Sequence, residues 1–331
     1  MQFYKFNPIF KPVLWGGGKL LEFKHLPARD VPIGESWELS ALQGRQSVVA
    51  DGRDAGLTLS QLVQRYGADL VGEEVYRHYG DEFPLLIKLI DAKRDLSVQV
   101  HPRDELAMRD HGVMGKTEMW YVLQADDGAI IRTGFNRALT PEEYDRRLAE
   151  GSLLDVVNAI PSRQGDVFFI PAGQIHAIGA GNLVAEIQQS CDITYRVWDY
   201  GRKDAQGNLR QLHTAQAREA LSFEPYNGYI PCKRETAMGI TPVVACPKFA
   251  VDKVAVDGNI DVALQQYRSF TAIVCLQGQV TLAAPDLLPA TLCQGQTALI
   301  PATVAAVAMS GSAQMLMTHV PQRDDSNRSE N

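Results

Sequence analysis

The residues with the most chemical promise in this 331-residue chain lie in Ser97-Val-Gln-Val-His-Pro102 and in two later positions, Glu118 and His176. In an extended strand successive side chains alternate between faces, so Ser97, Gln99 and His101 point one way and Val98 and Val100 the other. One strand therefore offers an amide oxygen and an imidazole side by side. Glu118, read on a strand, shares its face with Lys116 and Trp120, and His176 follows a Pro-Ala-Gly turn at the start of the next strand. Two imidazoles, a carboxylate and a neutral amide suit a divalent ion such as zinc and leave it a net positive charge, with room for water or substrate oxygens. Taken singly, each has an ordinary alternative: a satisfied core or surface histidine, a solvated glutamate, a glutamine without signal. The joint pattern is what points to a metal.

Other ionisable residues stand where charge needs a reason. Lys88 interrupts the apolar run Phe83-Pro-Leu-Leu-Ile-Lys-Leu-Ile90. Burying an ammonium without a partner is costly, so the run predicts either a wet or anionic cleft or a structural salt bridge. Glu186 shares a strand face with Gln188 and lies ten residues before Arg196. It is a candidate general acid or base, or a partner that orients Arg196. Arg196 offers a planar, permanently charged fork. Asp192 fits either the same cleft or a turn. Trp15 and Trp120 fit a sugar pocket or the core equally well. The remaining histidines, His25, His78, His111, His213 and His319, fit no ligand spacing.

The elements that must hold these residues are mostly short strands separated by Gly/Pro turns, which predicts a β sandwich or barrel with a few helical insertions. Leu59, Leu62, Val63, Tyr66 and Leu70 recur at helical spacing, with Thr58 and Gln61 as a capping box, so residues 58–80 read as a helical insertion. Residues 141–158 read as a second, opened by Thr140, Pro141 and two glutamates. Leu212 to Leu221 reads as a short linking helix. Gly165-Asp-Val-Phe-Phe-Ile-Pro-Ala-Gly-Gln-Ile-His176 aligns with Gly295-Gln-Thr-Ala-Leu-Ile-Pro-Ala-Thr-Val-Ala-Ala306. The second half thus repeats the fold with Ala306 in place of His176, unless the short match is chance similarity between β segments.

Composition fits an ordinary globular protein: 45% hydrophobic, 21% charged, net charge −7. That balance argues against a broad nucleic-acid surface, although an anionic small substrate can still meet a local cluster of Lys and Arg. Five cysteines without a CxxC pair, and no signal-like or membrane-length apolar run at the N-terminus, predict reduced thiols in a cytoplasm and no membrane partner. The polar stretch 322–331 is expected to fray.

Two motifs carry a family resemblance. Gly165-x5-Pro171-x-Gly173-x2-His176, followed by Asn182, resembles the second signature of the cupin superfamily. Gln99-Val-His101-Pro102, Gly115-Lys-Thr-Glu118-Met-Trp-Tyr121, and Arg196 within Thr-Tyr-Arg-Val-Trp-Asp199 together resemble type I mannose-6-phosphate isomerases, in the shorter bacterial form. The resemblance covers roughly residues 10–225. Gln99 stands where many cupins have a first His, which is how this isomerase family departs from them. The resemblance implies a mainly β fold of two cupin-type jelly-roll units, a catalytic one over 1–225 and a second over 226–331 without metal ligands. It implies one zinc ion held by Gln99, His101, Glu118 and His176. It implies catalytic roles for Arg196, Glu186 and Lys116, and places Lys88, Ser97 and Asp192 against the substrate. The expected reaction interconverts mannose 6-phosphate and fructose 6-phosphate by proton transfer between C1 and C2. The alternatives are a cupin module that binds or senses sugar phosphates without turnover, and another metal-dependent cupin enzyme such as an iron oxygenase.

Overall fold

The computed structural model describes residues 1–203, 207–232 and 238–322, and is mainly β. The helical periodicity at 58–80 resolves into three short helices, Leu59–Tyr66, Ala68–Val71 and Glu73–Tyr79. The first opens on the capping box read from the sequence: Thr58 accepts from the Gln61 amide, and the Gln61 side chain returns to the Thr58 amide. The helix expected over 141–158 opens as read, with Thr140 capping and Pro141 in the first turn, but it spans only Pro141–Glu150. Gly151 takes φ +72° and ends it. A 3₁₀ turn, Leu153–Val156, then leads into the strand Val157–Pro161, so the apolar residues read as one helical face belong to three elements. The linking helix is Thr214–Ala220. The tail 323–331 lies outside the described residues. Among the described residues no helix is long and apolar enough to cross a membrane.

Two sheets of the first half enclose the residues singled out above. A seven-stranded sheet runs in the order Tyr229–Ile230, Val167–Ile170, Glu118–Ala125, Asn182–Gln189, Leu85–Ala92, Ile33–Leu39, Ile9–Gly17. A five-stranded sheet runs Tyr195–Trp198, Val98–Val100, His176–Ile178, Ile130–Phe135, Val157–Pro161. Their inner faces meet in one apolar cluster that includes Trp120, Val122 and Phe168 from one sheet and Ile131 and Ile178 from the other. This is the sandwich that the short strands predict, and its architecture is a cupin fold.

The apolar run around Lys88 has a simple cause. The strand Leu85–Ala92 is buried on both faces. Leu85, Ile87 and Leu89 face outward into a second core with the helical Leu59, Leu62 and Leu70 and with Phe270, Val274 and Leu299 of the C-terminal sheet. A strand covered on both sides reads as continuous apolar sequence rather than as alternation. The alternate positions face the interior of the sandwich, which is how one charge, Lys88, enters the run.

The C-terminal sheet runs Gly239–Ala245, Ala250–Ala263, Ala306–His319, Thr271–Ala283, Thr297–Ile300, and then takes in Tyr4–Asn7 and Val48–Val49 from the start of the chain. The internal repeat is visible in the backbone. Gly165 and Gly295 both take positive φ, +89° and +78°. Each opens a short strand, Val167–Ile170 and Thr297–Ile300, and the aligned His176 and Ala306 each begin the next.

The N-terminal strand is tied to the helical layer by one buried carboxylate. Asp54 is 1% exposed and accepts from Tyr4 Oη at 3.0 Å, from Tyr66 Oη at 2.9 Å and from Arg65 Nη1 at 2.8 Å. Burial pushes its carboxyl up, but the hydrogen bonds from Tyr66, Tyr4 and Arg65 outweigh this and hold it below the usual aspartate range. A depressed folded-state pKa means that stability is present above the unfolded carboxylate's pKa and is lost as pH falls through the folded one. We therefore expect Asp54→Ala to cost about 1–3 kcal/mol at neutral pH, mostly from leaving the Tyr4 hydroxyl buried and unpaired. Urea unfolding at pH 7 and again below pH 4 checks it: the difference from wild type should shrink at the lower pH.

Candidate active site and metal centre

The registry of the two sheets assembles the site. In the five-stranded sheet Arg196 is opposite Gln99, Gln99 opposite His176, and His176 opposite Thr133. In the seven-stranded sheet Trp37 is opposite Lys88, Lys88 opposite Glu186, and Glu186 opposite Trp120, with Glu118 opposite Gln188 one step along. Residues directly opposite in antiparallel strands project to the same face. Two rows of functional side chains therefore confront each other across the interior.

His101, Glu118 and His176 meet at the centre, all buried, with ligand atoms within 4.8 Å of one another. Nε2 of His101 lies 3.5 Å from Glu118 Oε2, and Nε2 of His176 lies 3.5 Å from Glu118 Oε1. The Nδ1 atom of His101 is 2.8 Å from the Ile193 carbonyl, and that of His176 is 2.9 Å from the Gln174 carbonyl. Each carbonyl can only accept, so each Nδ1 carries the proton and each Nε2 a bare lone pair. The two Nε2 atoms stand 3.1 Å apart. Burial, reinforced by the positive charge of Lys116, keeps His101 far below the ordinary histidine range; burial brings His176 down to about 4. Both rings are thus neutral at pH 7.

Lys116 Nζ pairs with Glu118 Oε2 at 3.1 Å. Among the described residues no donor meets Glu118 Oε1, which faces His176 Nε2. Burial drives the Glu118 carboxyl well above its usual range, with Lys116 pulling the other way. Two facing lone pairs and a buried carboxylate oxygen that no donor meets are mutually unfavourable unless a cation lies among them. Two imidazole nitrogens on one tetrahedral zinc stand about 3.3 Å apart, given Zn–N bonds of about 2.0–2.1 Å. The donor set and its spacing fit a divalent ion. Gln99, between Arg196 and His176 in its row, turns its side chain to the same space and lines the cavity beside the cluster.

That cavity is about 380 Å³, and most of the sequence-derived candidates line it: Lys88, Ser97, Gln99, Lys116, Glu186, Asp192 and Arg196, together with Trp15 and Trp120. Lys88 Nζ is 3.1 Å from Glu186 Oε2, so it is both ion-paired and at the cavity wall. Trp120 donates to the other Glu186 oxygen at 3.0 Å. Burial would raise the Glu186 carboxyl, but Lys88 and then Lys116 outweigh it and hold the group ionised, below the usual range. Burial opposes charge on Lys116, but Glu118 and Glu186 hold its ammonium above the ordinary lysine range. Arg196 Nε lies 3.3 Å from Ser97 Oγ and its Nη1 donates to the Gln211 carbonyl at 2.8 Å. Asp192 is engaged by Arg45. Of the other histidines, His111 is held outside the cavity by Tyr195, at 2.8 Å.

Sequence reasoning missed Lys11, Arg45 and Arg210, which also line the cavity. Lys11 had a usable signal: it alternates with Val13 and Trp15 on one strand, and all three face the cavity. Its ammonium sits 3.3 Å from the ring centre of Trp37, over whose other surroundings Lys88 lies at 4.9 Å and Arg45 at 5.4 Å. Arg45 and Arg210 come from irregular segments, where no periodicity points to them.

The chain is similar to known proteins over nearly its whole length. The family model described as phosphomannose isomerase type I, catalytic domain, matches residues 3–134. Mannose-6-phosphate isomerase ManA of Bacillus subtilis is 35% identical over 319 residues, 95% of this chain and 98% of that one. The mannose-6-phosphate isomerase of Streptococcus mutans is 34% identical over 311 residues, 92% and 94% of the two chains. The crystal structure of the Bacillus subtilis mannose 6-phosphate isomerase superposes with a TM-score of 0.86 at 31% identity, covering 97% of this chain and 100% of that one.

Two outcomes are expected of the metal centre. Retitrating chelator-treated protein with a divalent ion to about 100 times its Kd should raise stability by about 2.7 kcal/mol, a gain that His101→Ala and His176→Ala abolish; melting curves with and without ion decide it. In the metal-free protein the His176 pKa is lowered from 6.5 to about 4. The unfolded chain then binds the proton first, so stability should fall as pH drops from about 6.5 toward 4.

Proposed function

The chain belongs to the type I mannose-6-phosphate isomerase family and is an isomerase, and on that premise we propose that it interconverts mannose 6-phosphate and fructose 6-phosphate with one zinc ion per chain. The observation that carries this reading is the buried Glu118 carboxylate set against two imidazole lone pairs, adjoining a cavity lined by Lys11, Arg45, Lys88, Lys116, Arg196 and Arg210. Six cations against the three acids Glu35, Glu186 and Asp192 give that cavity the charge balance an anionic sugar phosphate needs.

His101, Glu118, His176 and Gln99 would hold the ion. When bound, it supplies a Lewis-acid charge that polarises and orients the sugar oxygens at C1 and C2. The chain's own residues divide the remaining work. Arg196, steadied by Ser97 and the Gln211 carbonyl, presents a guanidinium for the phosphate or for oxygens near it. Lys116 stays protonated and so cannot take the proton from carbon. Its ammonium offsets negative charge that builds on the sugar oxygens in an enediol-like state. Glu186 is the ionised carboxylate in the cavity wall, fixed by Trp120 on one oxygen and Lys88 on the other, and it is the group we assign to carry the proton between C1 and C2. Lys88 holds Glu186 and adds positive charge beside the substrate; Asp192, turned toward the cavity with Arg45, is placed to meet sugar hydroxyls.

We further assign 1–225 as the catalytic unit and 226–331 as a second cupin-type unit without metal ligands, to whose sheet the chain start lends Tyr4–Asn7 and Val48–Val49. Ala306 at the position of His176 supports the distinction. Cys191, Cys246, Cys275 and Cys293 are free thiols, which accords with a cytoplasmic protein.

The test is turnover of mannose 6-phosphate, coupled to detection of fructose 6-phosphate, on metal-analysed protein. Chelation should abolish the rate and zinc restore it; binding without product would instead indicate a sensor module, and iron occupancy another cupin enzyme. Glu186→Gln should keep the metal and lower kcat by about 10²–10⁴. Arg196→Ala should likewise keep the metal and lose rate, and a rate equal to wild type would remove Arg196 from the catalytic set.

A further inference from the structure

Lys116 sits in a segment that regular sheet pairing does not reach. The strand that follows begins at Glu118, and the helix Asp104–His111 that precedes it ends on Gly112. Its backbone amide bonds to the Pro102 carbonyl at 3.1 Å. The residues on either side of it are held by side chains. Gly115 N donates to Asp104 Oδ1 at 2.8 Å, and Thr117 N donates to Gln189 Oε1 at 2.9 Å. Gln189 Nε2 in turn donates to the same Asp104 Oδ1 at 3.0 Å. Asp104 therefore holds one flank of Lys116 directly, through the Gly115 amide, and the other through Gln189.

The remaining oxygen of Asp104 is not left to solvent. Oδ2 pairs with Lys248 Nζ. Burial would raise the Asp104 carboxyl, but Lys248, Gln189 and the Gly115 amide outweigh it and hold the group ionised. Lys248 belongs to the second unit, on the tight turn between Gly239–Ala245 and Ala250–Ala263. That turn is closed by the Cys246 amide on the Phe249 carbonyl at 3.0 Å, and Phe249 is fully buried in the shared core. The ammonium is thus presented by a fixed turn rather than by a free arm.

We propose that Lys248 is a positioning residue for Lys116: through Asp104, and Asp104 through Gly115 and Gln189, the second unit sets the angle at which the Lys116 ammonium enters the cavity. This rests on the catalytic role given to Lys116 above. It gives the metal-free unit a part in the reaction besides covering the outer face of the sheet. Lys248 approaches neither the cavity lining nor the metal ligands, so its effect must run through the backbone it steadies. A shift of an ammonium by a fraction of its contact distance changes its interaction with a developing charge far more than with the bound substrate.

The experiment is steady-state kinetics on the full zinc-loaded chain, with Lys248→Met, Lys248→Arg, Lys116→Ala and the double variant Lys248→Met/Lys116→Ala. Lys248→Met should lower kcat roughly three- to tenfold with KM and metal content unchanged, and Lys248→Arg should restore most of the rate. In the Lys116→Ala background Lys248→Met should have no further effect, because the group it positions is gone. An unchanged kcat in Lys248→Met overturns the proposal. So does an equal fold-loss in both backgrounds, or a loss of melting temperature without loss of kcat, which would mark a structural contact. If Lys248→Met does not fold, Asp104→Asn read by the same double-variant comparison decides the matter. A wild-type chain that turns over no mannose 6-phosphate would instead sink the proposed function, and is told apart from failure of this inference by that control alone.

Discussion

A carboxylate buried at the centre of a β sandwich, with one oxygen that no donor among the described residues meets, is the constraint around which this molecule is arranged. Glu118 is 0% exposed. Leaving such a group ionised and unpaired costs several kcal/mol, and burial accordingly drives its proton affinity up. The chain meets that cost with positive charge: Lys116 at contact distance from Glu118, then Lys88 bound to Glu186. It also sets two imidazoles with their lone pairs inward, where a cation completes the balance. A buried cluster of this kind is not the most stable filling for a core, since apolar side chains of similar volume do as well or better. Its presence in the buried interior of the sandwich is understood through chemistry.

Much of this was legible in the sequence, because the governing rule is alternation on strands. Gln99 on one strand and Glu186 and Gln188 on another follow the two-residue period, and the sheet registers set them in two facing rows with Arg196, Trp120 and Glu118, while His101 and Lys116 extend those rows from just beyond the strand ends. The run around Lys88 was legible for a different reason. A strand covered on both faces has no polar period, so its lone charge stood out. The reading left open whether Lys88 served a cleft or a salt bridge, and the structure shows both: the ammonium pairs with Glu186, and the pair forms part of the cavity wall.

What was not legible came from long-range contacts and irregular chain. Lys11 shares the alternation of Trp15, a usable signal for its face, but nothing local says that the strand Ile9–Gly17 borders the cavity. Arg45 and Arg210 reach it from loops. Residues 141–158 carry an apolar pattern that continues past the helix, and only Gly151, free to take φ +72°, separates helix from 3₁₀ turn and strand. Here a single backbone conformation overrides a periodicity that sums over many side chains.

The internal repeat shows how the same backbone can stand with and without a candidate metal ligand. The turn glycine, the short strand and the start of the next strand are reproduced, with Gly165 and Gly295 both at positive φ. The surroundings are not. His176 is 0% exposed, covered by the opposing sheet and flanked by Trp120. Ala306 is exposed at the equivalent place. A histidine there would be solvated and free to protonate near pH 6.5, with no carboxylate brought opposite it. Burial is what keeps the ligand neutral and makes an adjacent bare carboxylate demand a cation. A second metal centre would therefore need a second buried carboxylate and a second imidazole as well as the replaced side chain, whereas the C-terminal sheet fills its own interior with apolar side chains such as Val254, Ile273, Leu282, Met309 and Met315. Its other face, with Phe270, Val274 and Leu299, packs against Leu85, Ile87 and Leu89 and the helices at 59–79, so it backs the strand that carries Lys88.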